Sequence, residues 1–192
     1  MITLPTLADT QIPPRSCSVT TCDGSINYGG SRHLNIGQSR VLLRYQLPPE
    51  LPAGDIATLL LTASVRIRRL RSDICTSCDN DGDVEARPMR NDWVEGSETA
   101  YSGADWCRRT GVSGSTCGRW GIAGAGDVPV DVAGTRLPVA VPRTLDEVFL
   151  PLRPEDLAAY AQDDGQVSIQ LRARSGGVEG TAVFLVASTE GE

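Results

Sequence analysis

Between Arg90 and Gly126 the chain gathers all three of its tryptophans, Trp93, Trp106 and Trp120, with Tyr101 and the acids Asp92, Glu95, Glu98 and Asp105. This residue set suits carbohydrate: an exposed aromatic face stacks on the apolar face of a pyranose, and neighbouring polar groups hydrogen-bond its hydroxyls. Trp106, Trp120, Tyr101 and Asp105 are the candidate ligand-binding residues, whereas Trp93 reads as a packing residue. The same acids offer the carboxylate pair of a glycosidase, whose separation would set the mechanism. Other catalytic signals are missing. The single histidine, His33, has no acid or nucleophile pattern beside it, and the chain lacks a nucleophile elbow, a phosphate loop and a His-Glu-x-x-His motif. With no lysine there is no Schiff-base route. The chain reads as a non-enzyme.

The most acidic stretch is Asp73 to Asp83, where Asp79, Asp81 and Asp83 cluster hard oxygens that invite calcium. Spacing matches an EF-hand poorly, and a solvated polar turn is the other reading. Calcium is the one cofactor the sequence suggests. Six cysteines fall into three sequence-local pairs, Cys17 with Cys22, Cys75 with Cys78 and Cys107 with Cys117. An even count in loops of a β-rich chain points to disulfides, although six cysteines allow about fifteen connectivities and local pairing is only the simplest. A zinc site on Cys75, Cys78, Cys107 and Cys117 is the rival, with a second spacing too wide for the usual knuckle.

These loops hang on strands. Val41, Leu43 and Tyr45 alternate with Leu42 and Arg44 before Pro48-Pro49, which predicts a strand closed by a proline-rich turn. Leu59, Leu61, Ala63, Val65 and Ile67 share one face, with Thr62, Ser64, Arg66 and Arg68 on the other. Val167, Ile169 and Leu171 alternate with Ser168, Gln170 and Arg172, which predicts one face to a core and one to water. Ala182 to Val186 reads as a buried run, and Val128, Val130 and Val132 read as an edge strand because of Pro129. One short helix is predicted over Pro154 to Ala161. Many short strands with 20 Gly and 12 Pro in 192 residues imply an all-β chain. The expected architecture is one antiparallel β-sandwich domain over 1–192, jelly-roll-like.

In the first third, Ala8-Asp9-Thr10, Asn27-Tyr28-Gly29, Leu34-Asn35-Ile36-Gly37, Val41-Leu42-Leu43-Arg44-Tyr45 and Leu51-Pro52-Ala53-Gly54 follow in that order. With Trp93-Val94-Glu95-Gly96 further on, this series resembles the DNRLRE-type domains, jelly-roll modules of surface and secreted proteins that include alginate-binding members. The resemblance implies a non-catalytic β-module and gives a class-level hint of sugar binding. It departs at Ser175, where an acid is expected after Arg174, and at the cysteine-bearing segments Cys17 to Cys22 and Cys75 to Asp83.

The formal charge of −6, with all eighteen basic residues arginine, is not a nucleic-acid footprint. Scattered arginines are usually a solvated face, while arginine on a strand face can also grip carboxylates and phosphates, and the sequence leaves open whether Arg32, Arg44, Arg66 and Arg68 cluster. Met1 to Pro5 show neither a positive segment nor an apolar one of the secretory kind, and no membrane span is expected. Disulfides without a leader are reconciled by a virion protein made in a bacterial cytosol and matured on a particle in oxidising surroundings. The expected function is a structural or adhesive surface module of a phage-like particle, a capsid decoration or tail component. Its location would be extracellular or on the virion surface, its partners other subunits or copies of itself, and cell-surface polysaccharide a further contact. The alternative is a secreted carbohydrate-binding module detached from a larger protein.

Overall fold

The computed structural model describes residues 6–13, 28–29, 33–36, 39–47, 65–69, 83–97, 102–113, 116–137, 147–148, 160–162, 164–175, 178–179 and 184–187. Its strands are β1 (Thr6–Ile12), β2 (His33–Ile36), β3 (Arg40–Gln46), β4 (Val65–Arg69), β5 (Asp83–Pro88) and β6 (Arg108–Ser113). They continue with β7 (Thr116–Arg119), β8 (Glu147–Val148), β9 (Gln166–Ser175), β10 (Val178–Glu179) and β11 (Phe184–Ala187). All pairings are antiparallel and no helix occurs among the described residues, so the described part is all-β. The expected helix falls outside the described residues apart from Tyr160, in a turn, and Ala161. No helix among the described residues is long and apolar enough to cross a membrane.

The largest sheet is organised by β3 and β9. β3 pairs with β1 on one side and β9 on the other, and β9 takes β5 along its second edge. Residues directly opposite one another in an antiparallel pair share a face. One face therefore collects Val41, Leu43 and Tyr45 from β3, Val167, Ile169 and Leu171 from β9, and Ala86 from β5, all buried. Near it lies the second sheet, ordered β2-β11-β4-β8, whose β2 runs against β1, β3 and β9 and buries Leu34 and Ile36 completely. β6 and β7 form a separate hairpin.

The opposite face differs from the expectation. Its residues are Ala8, Thr10 and Ile12 on β1, Arg40, Leu42 and Arg44 on β3, Ser168, Gln170 and Arg172 on β9, and Glu85 and Arg87 on β5. The alternation of β9 predicts water there, yet Ser168 is 1% and Gln170 0% exposed. The cover is the chain from Met89 to Leu137, which folds back over this polar face. Met89, Trp93, Ala104, Trp120, Ala125 and Val132 pack there against Ala8, Ile12 and Leu42. Alternation records which residues share a side of a strand, not what lies above them.

Val128 to Val132 also departs from expectation. Residues 128–131 form a turn containing a cis Val128–Pro129 bond; Val128 and Val130 are exposed while Val132 is buried and bridges to Met89. The alternation of valines arises from a loop that turns two of them outward, with no strand beneath it.

Candidate functional site

The Met89–Leu137 excursion carries all the tryptophans, and polar side chains rising from the sheet fix each of its passes. At the first pass Trp93 is fully buried, its Nε1 donating to Ser168 Oγ at 3.1 Å. Arg44 lies 4.7 Å from the centre of the Trp93 ring and donates to Asp92 Oδ1 and to the Trp93 carbonyl. A cation over an indole face supplies about 0.5–2 kcal/mol depending on desolvation. Arg44 is therefore a grip on the excursion and not a solvated arginine.

Two residues on, Glu95 Oε1 accepts the Asp9 amide at 2.8 Å, closing the outer edge of β1 with a side chain. A free strand edge is a template for unwanted pairing, and a carboxylate on its N–H groups blocks that approach. Gly29 lies against the same turn, where a Cβ would come within 2.5 Å of the Glu95 carbonyl. That crowding admits only glycine.

The second pass is a tight turn at Trp106-Cys107, where the Asp105 amide donates to the Arg108 carbonyl at 2.8 Å. Asp105 Oδ1 accepts the amides of Cys107 and Arg108, and Oδ2 accepts Arg108 Nε at 2.8 Å and Arg108 Nη2. Both side chains are 2% exposed. Trp120 Nε1 donates to the Asp105 carbonyl at 2.8 Å, and Trp120 is itself buried. Trp106 is half-buried, with the Arg40 guanidinium 4.9 Å from its ring centre. Arg40 also donates to the Gly124 carbonyl, and Gly124 takes a φ of +77° against the Trp106 ring, 2.7 Å from where a Cβ would stand. Gly124 thus combines a left-handed backbone with a close approach, both of which exclude a side chain.

The third pass is organised by Asp131, a fully buried carboxylate. Oδ1 accepts Asn91 Nδ2 and the Gly121 amide, each at 2.9 Å, and Oδ2 accepts the amides of Ile122 and Asp127, each at 3.1 Å. Gln170 donates to the carbonyls of Gly124 and Ala125, and Arg87 to those of Ala133 and Gly134. This scaffold holds outward an apolar group, with Ile122 57%, Val128 45% and Val130 52% exposed beside an exposed Pro129.

Asp131→Ala is expected to destabilise the fold by about 3 kcal/mol, since it strands several buried donors at about 1–3 kcal/mol each. Asp131→Asn, which keeps one acceptor, should lose less. Denaturant unfolding measures both, and thermolysin cleavage before Ile122 or Val128 should accelerate in the alanine variant first.

Placed on this frame, two of the four candidate sugar-binding residues are buried. Asp105 and Trp120 face inward, bound to Arg108 and to the Asp105 carbonyl, and present no surface to a ligand. Trp106 alone keeps part of its ring accessible, and Tyr101 lies outside the described residues. Of the possible catalytic acids, Asp92 is held by Arg44 and the Trp93 amide and Glu95 by β1, while Glu98 lies outside the described residues. Asp83 opens β5 opposite Arg174, and Asp79 and Asp81 lie outside the described residues, as do Cys17, Cys22, Cys75 and Cys78. Among the described residues no group of three or more His, Cys, Asp or Glu is placed to hold a metal ion. Cys107 is disulfide-bonded.

Sequence reasoning missed Arg40, Arg108, Asp131 and Gln170. A strand alternation flags none of them, because their partners lie in distant segments or within neighbouring turns. Compared with known proteins, the chain matches no family model and no curated protein.

Proposed function

We propose that this protein is a non-catalytic surface module of the DNRLRE type, a jelly-roll β-sandwich that serves as a structural or adhesive component of a phage-like particle and contacts cell-surface polysaccharide. The observation that carries the reading is the division of labour in the excursion. Glu95, Asp105 and Asp131 bind donors of the fold itself and the exposed Asp92 is tied to Arg44, whereas Ile122, Val128, Pro129 and Val130 project from a loop fixed on buried charge. Hydrolysis needs two carboxylates facing a substrate space. Adhesion and assembly need a preorganised apolar surface, since rigidity lowers the ordering cost of binding. A sandwich accords with β2 lying against β1, β3 and β9 across an apolar face.

Mass spectrometry of the intact complex from the native source tests the reading. Co-isolation with capsid or tail subunits is the expected result; recovery as a lone segment of a longer secreted polypeptide would overturn the particle assignment. A paired variant, Ile122→Glu with Val130→Glu, should keep the melting temperature, because exposed substitutions usually stay within about 0.5 kcal/mol. It should nonetheless fail to incorporate into the particle.

A further inference from the structure

We infer, on the proposed reading of the excursion's apolar loop as an assembly surface, that the chain associates head to tail with further copies of itself, this loop on one copy seating against the β1 edge of the next. Among the described residues the large apolar side chains left exposed are Leu7, Val94, Ile122, Val128 and Val130, and they fall into two groups. Leu7 sits at the register shift between Thr6 and Ala8, two residues from the Asp9 amide that Glu95 caps, and Val94 precedes Glu95. Both therefore flank the outer edge of β1, the last strand on that side of the larger sheet. Ile122, Val128 and Val130 belong to the other edge. The Arg90 amide donates to the Asp131 carbonyl, the Ala133 amide to Pro88 and the Leu137 amide to Ala86, so the chain that follows Val130 is bonded along the outer side of β5. Across β1, β3, β9 and β5, three strand spacings place about 14 Å of sheet between the two edges.

Patches on opposite edges cannot both face one two-fold partner. They are satisfied together when the loop of one copy meets the β1 edge of the next, a heterologous contact that repeats into a ring or a filament. Exposed charge favours the same match. Asp92, 60% exposed, stands beside Val94, whereas the exposed Arg90 and the 57% exposed Arg136 flank the loop at the β5 edge. Arg109 and Asp127 carry the opposite signs at the two places, but both are half-buried. The Glu95 carboxylate on the Asp9 amide stands in the way of strand addition at β1, so side chains make the contact. Five half-exposed apolar side chains supply far less than the about 800 Å² per partner of a standard interface, so one contact is weak and is held chiefly where an assembly concentrates the copies.

Sedimentation velocity of the full chain at about 1 mM, where weak contacts are populated, reads the association. The wild type should form species larger than the monomer. Leu7→Glu with Val94→Glu removes one patch and Ile122→Glu with Val130→Glu the other, and each variant should lose those species. An equimolar mixture of the two should give dimers that grow no further, because one intact loop then meets one intact edge. A monomeric wild type, a Leu7 and Val94 variant that assembles like the wild type, or a mixture that stays monomeric would overturn the head-to-tail contact. Should a variant misfold, photo-crosslinking from Val128→p-benzoylphenylalanine decides the matter. In the crosslinked dimer the tryptic peptide Trp120–Arg136 should be joined to Met1–Arg15 or Asn91–Arg108, and joining only to other peptides would overturn the contact. A monomer that still co-isolates with capsid or tail subunits would sink this contact alone, whereas self-association without such subunits would sink the particle assignment alone.

Discussion

Arg108→Met should lower the free energy of unfolding by about 3–5 kcal/mol, the cost of removing one partner of a fully desolvated ion pair and leaving the other charge buried. Both side chains are 2% exposed, and Asp105 Oδ2 receives two donors from Arg108. The two amides on Oδ1 would remain, but they cannot balance the charge. A double variant, Asp105→Leu with Arg108→Met, should recover much of that loss, because apolar groups of similar volume can replace a buried pair at little cost. It would not recover all of it: the amides of Cys107 and Arg108 lose their acceptor, about 1–3 kcal/mol each at worst. Guanidinium unfolding curves for the wild type, the single variant and the double variant decide the matter. A single variant that unfolds with the wild type would show that the pair is open to water.

Trp93→Ala should cost about 3–5 kcal/mol, the range for deleting a large buried aromatic. Three contributions coincide at this ring: its burial against the excursion core, the Nε1 bond to Ser168, and the stacking of Arg44. Trp93→Phe separates them, since it keeps a face for Arg44 and most of the packing while it removes the shorter of two donors to the buried Ser168 Oγ, leaving Arg44 Nε at 3.4 Å. A loss of about 1–2 kcal/mol is expected for phenylalanine on the scale of one buried hydrogen bond. If alanine and phenylalanine cost the same, the hydrogen bond dominates and the packing account fails. Tryptophan fluorescence during unfolding gives a second readout, because Trp93 and Trp120 are buried and Trp106 is half-buried.

β3 and β9 were legible because their information is local. In β3 and β9 the apolar set recurs every second residue, and Val41, Leu43, Val167, Ile169 and Leu171 do share one buried face. The packing role of Trp93 was expected as well, as what the resemblance of Trp93-Val94-Glu95-Gly96 to the DNRLRE-type domains implies. The candidate site was not legible. Asp105 and Trp120 have the composition of a sugar platform, but composition does not say which way a side chain points. A turn at Trp106-Cys107 directs Asp105 onto Arg108 and brings the Asp105 carbonyl to Trp120.

The sequence by itself determined the all-β character, the positions of β3 and β9 and the apolar face they share, since backbone alternation and the two-residue period fix these without reference to distant residues. Only the tertiary structure decided that the polar face would be dry. The excursion from Met89 to Leu137 folds over it, and Arg40, Arg44, Arg87, Ser168 and Gln170 become anchors for distant backbone and ring atoms. A buried polar side chain must find a partner, and those partners exist only once chain segments 40 to 80 residues apart have come together. Within the excursion a local turn directed Asp105 onto Arg108 and its carbonyl onto Trp120, while Ile122, Val128 and Val130 stay exposed.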